Sequence, residues 1–537
     1  MALLGLLSKD TFVSLLSLLE KENLILLLQT LALIFWILLL SQGIYNRYFH
    51  PLKDIPGPFW GSINSLWLYY SIHRAKYENY HLPIHKKYGS MVRMAPNHVE
   101  ISDPNAIETI YGPKHDFPKA TFYKSFDSGI SHTPDSFCCL DSETHDRRRR
   151  AVAAFYAQAA VLEYEPCIDR CINLFHQRME GLANTEEATD MALWLRKYTF
   201  DIIGELFYGR EGGFGFLRDN IDYNDWGKLM ETLVRPITAA GYAPYGFKSL
   251  NILIQLLYPD SRAGVFGFFK VIKQAREALR QRLDDIASGR LAKSNDMLNK
   301  LINLAQNDDQ KYSFTLLDVT TEIYAVIFAG ADTTSTALTA IFYYSHKDPK
   351  IVAKLKREID EAFEQGKLVY PIRFADANRL PYLRAVVNEA MRIHPSTGMS
   401  LPRVVPGGGV EICSKYFPAG TVVAMNAAVV QLDKNIYGED SEQFIPERWT
   451  RDGERAAANM ERHFLQFGYG KRMCLGKHIS YTEMFKLIPT LLHKYDFELT
   501  GKKEWTVSRE WFQHQKDVHV KITKRDHVSA EKSRHEQ

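Results

Sequence analysis

The stretch that decides the fold reads Phe467-Gly468-Tyr469-Gly470-Lys471-Arg472-Met473-Cys474-Leu475-Gly476, a glycine-rich loop around one cysteine. Gly468 and Gly470 permit backbone turns that other residues avoid, so that amide N–H groups can point at the sulfur. The residues that follow have a helical pattern as far as Ile488, which precedes a proline that can kink a helix. Cys474 is therefore predicted at or near a helix N-terminus, where the helix dipole and free N–H groups favour thiolate over thiol.

Two other interpretations of this cysteine stay open. One is a buried structural thiol in a glycine-rich turn. The other is a Cys/His metal site with His478, which would need two further ligands at suitable spacing. The chain has 6 cysteines and no C-x-x-C pair, so zinc ribbons and dithiol redox motifs are not expected. Six reduced thiols in a cytosolic environment are predicted.

A second informative segment, Thr315 to His346, is predicted to form one long helix. Thr315 and Asp318 resemble a capping box at its start, and Asp348-Pro349 ends it. Such a helix would span roughly 45 Å, enough to cross a whole domain.

The middle of this helix reads Ala329-Gly330-Ala331-Asp332-Thr333-Thr334. A glycine inside a helix costs about 1 kcal/mol relative to alanine, and buried polar side chains in an apolar segment add to that cost. Departures of this kind mark functional positions. Ala329 and Thr333 lie four residues apart on one helix face, so a small side chain and a hydroxyl would face the same ligand. A helix kink with satisfied polar groups is the alternative.

The loop matches F-x-x-G-x-R-x-C-x-G at every fixed position, and the helix matches A/G-G-x-D/E-T-T/S. In both motifs the chain resembles the cytochrome P-450 superfamily of haem-thiolate monooxygenases. The resemblance implies a mainly α fold with a smaller β region, in which Cys474 is the axial ligand of a haem b iron. A thiolate in that position favours O–O cleavage. By the same resemblance Asp332 and Thr333 are catalytic, the acid relaying protons from water.

Several further residues are implied to hold the haem. Arg472, two residues before the sulfur, is placed to pair with a haem propionate. His145 stands where the family commonly has the tryptophan of W-x-x-x-R, a departure that puts its haem contact in doubt. The rest of the basic run, Arg147, Arg148 and Arg150, is interpreted as a solvated face that could dock an acidic redox partner. The complete predicted haem-binding set is Cys474, Arg472, Arg403, Arg149, His145, Ala329, Phe467 and Gly476.

A charge network is implied beside the cysteine loop. Glu389 and Arg392 lie three residues apart in E-x-x-R, and Arg448 belongs to a downstream Pro-Glu-Arg-Trp sequence. Alone, the first pair could be an exposed ion pair of little energetic value. In the family these three side chains form one buried network that braces the haem loop. Glu389, Arg392 and Arg448 are therefore assigned to folding and haem retention.

The N-terminal region contains a long apolar run from Leu24 to Leu40 without any charge. Extended to residue 45 it reaches about 20 residues, enough for one bilayer crossing. A buried core helix and a cleaved signal peptide are the alternatives, but acidic residues precede the run and no Ala-x-Ala exit follows it. More basic residues follow the run than precede it, which places the C-terminal body in the cytosol.

The remaining chain shows neither a second linker nor a repeat. With 66 Lys and Arg against 63 Asp and Glu, its net charge of +3 argues against nucleic-acid binding. The predicted organisation is an amphipathic segment at 1–22, a transmembrane signal-anchor helix at 23–45, a proline-rich hinge at 46–58, a catalytic domain at 59–525 and a charged tail at 526–537. Short β-like runs are predicted at residues 91–101 and 421–430.

The resemblance extends over residues 51–500 and is closest to fungal microsomal members, in the manner of the pisatin-demethylase-like group. It implies an endoplasmic reticulum enzyme that uses O₂ and NADPH-derived electrons to oxygenate an apolar small molecule in secondary or detoxifying metabolism. NADPH-cytochrome P-450 reductase is the implied partner, with cytochrome b5 as a second candidate. A haem-thiolate isomerase or dehydratase and a non-catalytic haem sensor are the competing functions. Substrate contacts are expected from residues 117–130, 324–333, 397–401 and 509–512.

Overall fold

The computed structural model describes residues 21–73, 81–185, 187–243, 256–257, 259–290, 296–307, 312–501, 504–509 and 511–525. The predicted tail at 526–537 and all but the last two residues of the predicted segment 1–22 lie outside these described residues.

Helices make up most of the described chain. Their apolar residues recur at helical spacing and face a shared core, and tertiary burial of such faces provides most helical stability. The helices are α1 Lys21–Tyr48, α2 Phe59–Ile63, α3 Leu66–His73, α4 His81–Tyr88, α5 Ala106–Tyr111, α6 Ser142–Val152, α7 Gln158–Leu162, α8 Glu165–Ala183, α9 Met191–Tyr208, α10 Phe216–Asp219, α11 Trp226–Tyr242, α12 Pro259–Ala287, α13 Met297–Gln306, α14 Leu316–Lys347, α15 Pro349–Glu364, α16 Phe374–Ala377, α17 Pro381–Ile393, α18 Ala427–Val430, α19 Lys434–Tyr437, α20 Arg448–Arg451, α21 Gly453–Arg462 and α22 Lys477–Lys494.

The strands form small sheets beside the helical body. In the largest, the order is β1-β2-β7-β4, with β2 parallel to β7 and the other pairs antiparallel. A second sheet has the order β3-β11-β8, and two hairpins pair β5 with β6 and β9 with β10. The strands are β1 Met91–Ala95, β2 His98–Ile101, β3 Thr189–Asp190, β4 Arg403–Val404, β5 Val410–Ile412, β6 Lys415–Phe417, β7 Val422–Ala424, β8 Tyr495–Leu499, β9 Thr506–Arg509, β10 Gln513–Lys516 and β11 His519–Lys524.

Two sequence predictions differ from these bounds. The β-like run at 421–430 ends early, because the Asn426 side chain accepts the N–H of Ala428 and begins the short helix α18. Helix α22 also continues six residues past Ile488, through Pro489. Buried apolar residues on both sides of this proline hold the helix together, although proline removes one backbone hydrogen bond.

Helix α1 contacts the body near its C-terminal end, where the Asn46 side chain donates to the carbonyl of Ile63. Its segment Leu24–Tyr48 has a mean hydropathy of 2.6 and none of its most apolar window is buried in the protein. Within the described residues, α14 is the other helix long and apolar enough to cross a membrane, but it is 72% buried in the protein. Length, composition and exposure together make α1 the candidate membrane span.

Helix α14 runs through the centre of the body and contacts α9, α12, α13, α17 and α22. The predicted capping box is present, since the Thr315 hydroxyl accepts the N–H of Asp318 and the Asp318 carboxylate accepts the N–H of Thr315. This cap satisfies donors that a helix start leaves unpaired. A sequence signal at one end thus fixes where the central helix begins.

The implied charge network is present and fully buried. Arg392 donates two hydrogen bonds of 2.8 Å to the carboxylate of Glu389, and Nε of Arg448 donates a third of 2.9 Å. Arg392 also donates to the backbone carbonyl of Gln431, whose side-chain Oε1 accepts the N–H of Leu465 at 2.8 Å. Leu465 precedes the cysteine loop by two residues, so the network reaches that loop through one glutamine.

Replacing Glu389 with alanine leaves two arginines buried without their carboxylate, which costs about 3–5 kcal/mol of stability. We therefore expect the thermal unfolding midpoint of full-length Glu389→Ala in detergent to fall by many degrees. Glu461→Ala is the control, because Glu461 and its partner Arg384 are both about half exposed and 3.9 Å apart. Equal midpoints for the two variants would contradict a bracing role for the network.

Candidate functional site

A cavity of about 340 Å³ lies between α14, α6 and the loop that precedes α22. Cys474 opens onto it, and so does Thr333 from the middle of α14. The predicted haem-binding residues all line this one cavity: His145, Arg149, Ala329, Arg403, Phe467, Arg472, Cys474 and Gly476.

Backbone geometry shapes the cysteine loop. Gly468 and Gly470 have φ angles of +70° and +63°, in the region that glycine alone adopts without strain. A Cβ on Gly470 would also collide with the carbonyl oxygen of Tyr111. The N–H of Cys474 donates to the carbonyl of Phe467 at 2.8 Å, which closes the loop. Gly476 directly precedes α22, so the cysteine lies beside a helix N-terminus as predicted.

Opposing effects act on the sulfur of Cys474. Burial raises the pKa of the thiol, while the N–H of Gly476 and the charge of Arg149 act to lower it. The helix-terminal N–H groups thus lower the pKa of the thiol, as the sequence predicted. In the protein chain by itself the effect of burial is larger, so the pKa is raised overall. A thiol of this kind needs a cation beside it to be held as a thiolate.

Three cationic side chains gather at one side of the cavity. Arg472 donates to the carbonyls of Cys139 and Leu140, at 2.7 and 2.9 Å. Its buried Nε has no hydrogen-bond partner in the described part of the chain. Arg403 donates to the hydroxyl of Tyr123. Burial, followed by the charges of both arginines, lowers the pKa of the third cation, Lys119, well below its usual value. This grouping favours an anionic ligand.

Sequence reasoning had not singled out Lys119. The residue lies within the stretch 117–130 expected to contact substrate, where a lysine among aromatic residues carries no specific signal. Its position becomes informative only through the pairing of its backbone with Arg403 in the fold.

Helix α6 contributes the remaining predicted pair. Arg149 donates to the carbonyl of Met473 at 2.7 Å and so braces the cysteine loop directly. His145 is 1% exposed, and its Nδ1 lies 2.8 Å from a carboxylate oxygen of Asp146. Burial lowers the pKa of His145 to about 4, so the ring is neutral at pH 7.

The interpretation of Arg148 as part of a solvated face is wrong. Its side chain is 3% exposed and forms ion pairs with Asp318 at 2.8 Å and Glu322 at 3.4 Å. The helical spacing of 100° per residue turns this arginine toward α14, whereas Arg147 and Arg150 are exposed. Because the run consists of four consecutive arginines, their charge could not indicate that Arg148 is the one that faces the protein interior.

The two predicted catalytic residues face different surroundings. The Thr333 hydroxyl donates to the carbonyl of Ala329 at 2.6 Å and borders the cavity. Asp332 is fully buried, does not line the cavity, and places Oδ2 3.0 Å from Nε2 of His514 on β10. No local sequence pattern links residues 182 positions apart, and His514 was therefore missed.

The rest of the cavity lining is mainly apolar and aromatic. All four stretches expected to contact substrate contribute to it, which fits a site for an apolar molecule. These contributions are Tyr123, Phe126, Tyr324, Ala325, Phe328, Thr397, Met399, Leu401, Trp511 and Phe512.

The described residues fit a haem group. A thiol that faces the cavity, a group of cations in which the buried Nε of Arg472 has no partner, and a lining of small and aromatic residues supply the ligand, the anion contacts and the apolar faces that a haem needs. Among the described residues no cluster of three or more His, Cys, Asp or Glu side chains could hold a metal ion, so a Cys/His site with His478 is not formed.

Comparison with known proteins agrees with this reading. The family model for cytochrome P-450 matches residues 54–522. The chain is 37% identical over 490 residues to the cytochrome P-450 monooxygenase gsfF of Penicillium aethiopicum, covering 91% of this chain and 96% of that protein. It is 31% identical over 506 residues to the monooxygenase cicH of Emericella nidulans, covering 93% and 99%. It is 30% identical over 476 residues to the pisatin demethylase of Fusarium vanettenii, covering 87% and 90%.

The matched region includes the cysteine loop, α14 and the buried charge network, and it begins after the end of α1. Fold, cavity and relatives lead to one assignment. The chain belongs to the cytochrome P-450 family, whose monooxygenases use haem, O₂ and NADPH-derived electrons.

Proposed function

We propose that this protein inserts one oxygen atom of O₂ into an apolar small molecule of fungal secondary or detoxifying metabolism, by hydroxylation, epoxidation or oxidative demethylation. The observation that carries the proposal is that Cys474 and Thr333 border the same cavity. A haem sensor needs only the first of these residues. An isomerase or dehydratase that uses no O₂ needs no hydroxyl for oxygen activation.

Each residue of the cavity has a proposed role. Cys474 would ligate the haem iron, and Arg472, Arg403 and Lys119 would bind the haem carboxylates. Arg149 keeps the cysteine loop in position through the carbonyl of Met473. Phe467, Ala329 and Gly476 provide flat or small surfaces for the ring, and His145 packs beside it as a neutral side chain.

When bound, the haem supplies the oxygen-activating chemistry that amino-acid side chains cannot provide. The chain's own contribution is positioning and proton control. The apolar lining excludes water from the reacting centre. The Thr333 hydroxyl borders the cavity four residues from Ala329 and holds a proton there. Asp332, the buried neighbour of Thr333, supplies that proton.

The proposed electron donor is membrane-bound NADPH-cytochrome P-450 reductase, with cytochrome b5 as a second donor. Exposed Arg147 and Arg150 on α6 lie near the cysteine loop and give an acidic partner a complementary surface. We further propose that α1 anchors the protein in the endoplasmic reticulum with its body in the cytosol.

The function is tested with the full-length protein in membranes together with reductase, NADPH and a fungal metabolite extract. We expect products heavier by one oxygen atom, together with the reduced carbon monoxide spectrum of thiolate-ligated haem. Cys474→Ser abolishes both, whereas Cys413→Ser changes neither, because Cys413 lies outside the cavity. Unchanged spectrum and products in Cys474→Ser would refute the ligand assignment.

Thr333→Ala is expected to lower the rate of product formation by about 10²-fold, the lower end of what one proton-transfer group contributes. NADPH consumption continues, so product formed per NADPH falls. Thr321→Ala is the matched control, because Thr321 makes the same hydrogen bond to the residue four earlier in α14 but does not line the cavity. Normal coupling in Thr333→Ala would contradict its role, and turnover of a peroxide substrate without NADPH would favour the isomerase.

Membrane anchoring through α1 predicts that microsomal full-length protein resists extraction by alkaline carbonate. In intact microsomes, added protease is expected to digest the body, because the body faces the cytosol. Release by carbonate, or protection of the body from protease, would contradict the anchor or its orientation.

A further inference from the structure

Asp332 lies between two separate spaces. On its cavity side the next residue, Thr333, borders the haem cavity. On its other side Oδ2 contacts Nε2 of His514 at 3.0 Å. Its second oxygen, Oδ1, is buried and has no hydrogen-bond partner within the described residues. One carboxylate oxygen is therefore committed to His514, while the other is free to pass a proton onward.

His514 also borders a second cavity, of about 230 Å³, which we call the polar cleft. Its lining includes the ion pairs of Glu231 with Arg196, at 2.8 Å, and with Lys516, at 2.7 Å. The side chain of Lys516 is half exposed, so the cleft reaches the protein surface. His514 thus borders a cleft that contains charged side chains and also contacts Asp332.

The contact is not needed to fasten the β9–β10 hairpin to α14. The Thr336 hydroxyl donates to the carbonyl of Gln513 at 3.0 Å, and the Gln515 amide donates to the carbonyl of Thr336 at 3.0 Å. Since these two bonds already hold the hairpin, burial of an acid and a histidine between them adds a desolvation cost without structural need. Such a cost at a site next to the reacting centre indicates a functional pair.

We propose that His514 is the proton inlet of this enzyme and carries protons from water in the polar cleft to Asp332. The inference rests on the proposed function, in which RH + O₂ + 2 e⁻ + 2 H⁺ gives ROH + H₂O and the electrons come from NADPH through the reductase. For each proton, Nδ1 of His514 accepts from cleft water and Nε2 releases to Oδ2 of Asp332. The acid then yields its proton toward Thr333. His514 acts through Asp332 and does not touch the substrate.

The test compares His514→Gln with Thr320→Val in the full-length haem protein. Glutamine still donates a hydrogen bond to Asp332 but cannot take up and release a proton. We expect NADPH-driven product formation to fall by about 10²-fold in His514→Gln. Oxidation driven by iodosylbenzene, which donates an oxygen atom and needs no protons, stays unchanged. Thr320→Val removes a side-chain hydrogen bond of 3.1 Å in a part of α14 that borders neither cavity, and it leaves both activities near wild type.

The outcomes separate the two proposals. Normal NADPH-driven turnover in His514→Gln, or an equal loss in both variants and with both oxidants, overturns the inference alone. Absence of NADPH-driven turnover in the wild-type protein, with or without iodosylbenzene activity, overturns the proposed function and this inference with it.

A second measurement is independent of turnover. Exchange of the imidazole C2 hydrogen for deuterium, followed by mass spectrometry, reports whether water reaches a histidine ring. His98 is a suitable reference, because it is 6% exposed, as little as His514 at 5%, and stacks on Tyr242 without bordering the cleft. Each rate is divided by the rate of the same histidine in the urea-unfolded chain. We expect several-fold less protection at His514 than at His98, and equal protection would overturn the inlet.

Discussion

The carboxylate of Glu389 has no contact with solvent and accepts hydrogen bonds from two arginines, the indole of Trp449 and the backbone N–H of Ile445. Removing such charges from water is costly, and a buried ion pair gives little net stability over an apolar replacement. What it does give is a single permitted arrangement, because any displacement leaves a buried charge unpaired. Arg392 ties this arrangement to Gln431, and Gln431 ties it to Leu465 at the start of the cysteine loop. The position of the sulfur therefore depends on charges that never meet the haem.

The cost of burying charges has a different consequence inside the cavity, where cations lie together. Arg403 and Lys119 are buried and Arg472 is partly buried, and burial lowers the pKa of Arg472 and Lys119. Backbone carbonyls and a tyrosine hydroxyl satisfy part of their donors, but Nε of Arg472 is left over. The charges of the Glu389 network are paired within the chain. The cluster of Arg472, Arg403 and Lys119 needs an added anion to pair its positive charges. The protein thus stabilises its cysteine loop with charges that are paired within the chain, and it binds its cofactor with cations that need an anionic ligand.

Short motifs predicted the parts of the structure that local sequence controls. The glycines of the loop, the capping box of α14 and the i,i+3 pair Glu389–Arg392 all lie where their patterns placed them, because turn strain, end capping and helix periodicity operate over a few residues. Features that depend on the tertiary fold were missed or misjudged. Arg148 faces inward because of where α6 packs. Lys119 becomes informative through its backbone bridge to Arg403, and His514 through its contact with Asp332 on α14, both far away in the sequence.

The acid and the alcohol of α14 show why adjacency in sequence does not give adjacency in a site. Consecutive helix residues point about 100° apart, so Thr333 can face the cavity only if Asp332 faces elsewhere. Gly330 lies close to α9, since a Cβ there would require the end of the Ile203 side chain to move. The acid is consequently aimed at β10, where burial requires a partner for its charge. Helix geometry thus separates proton supply from the substrate, and the hairpin that carries His514 is what connects that supply to water.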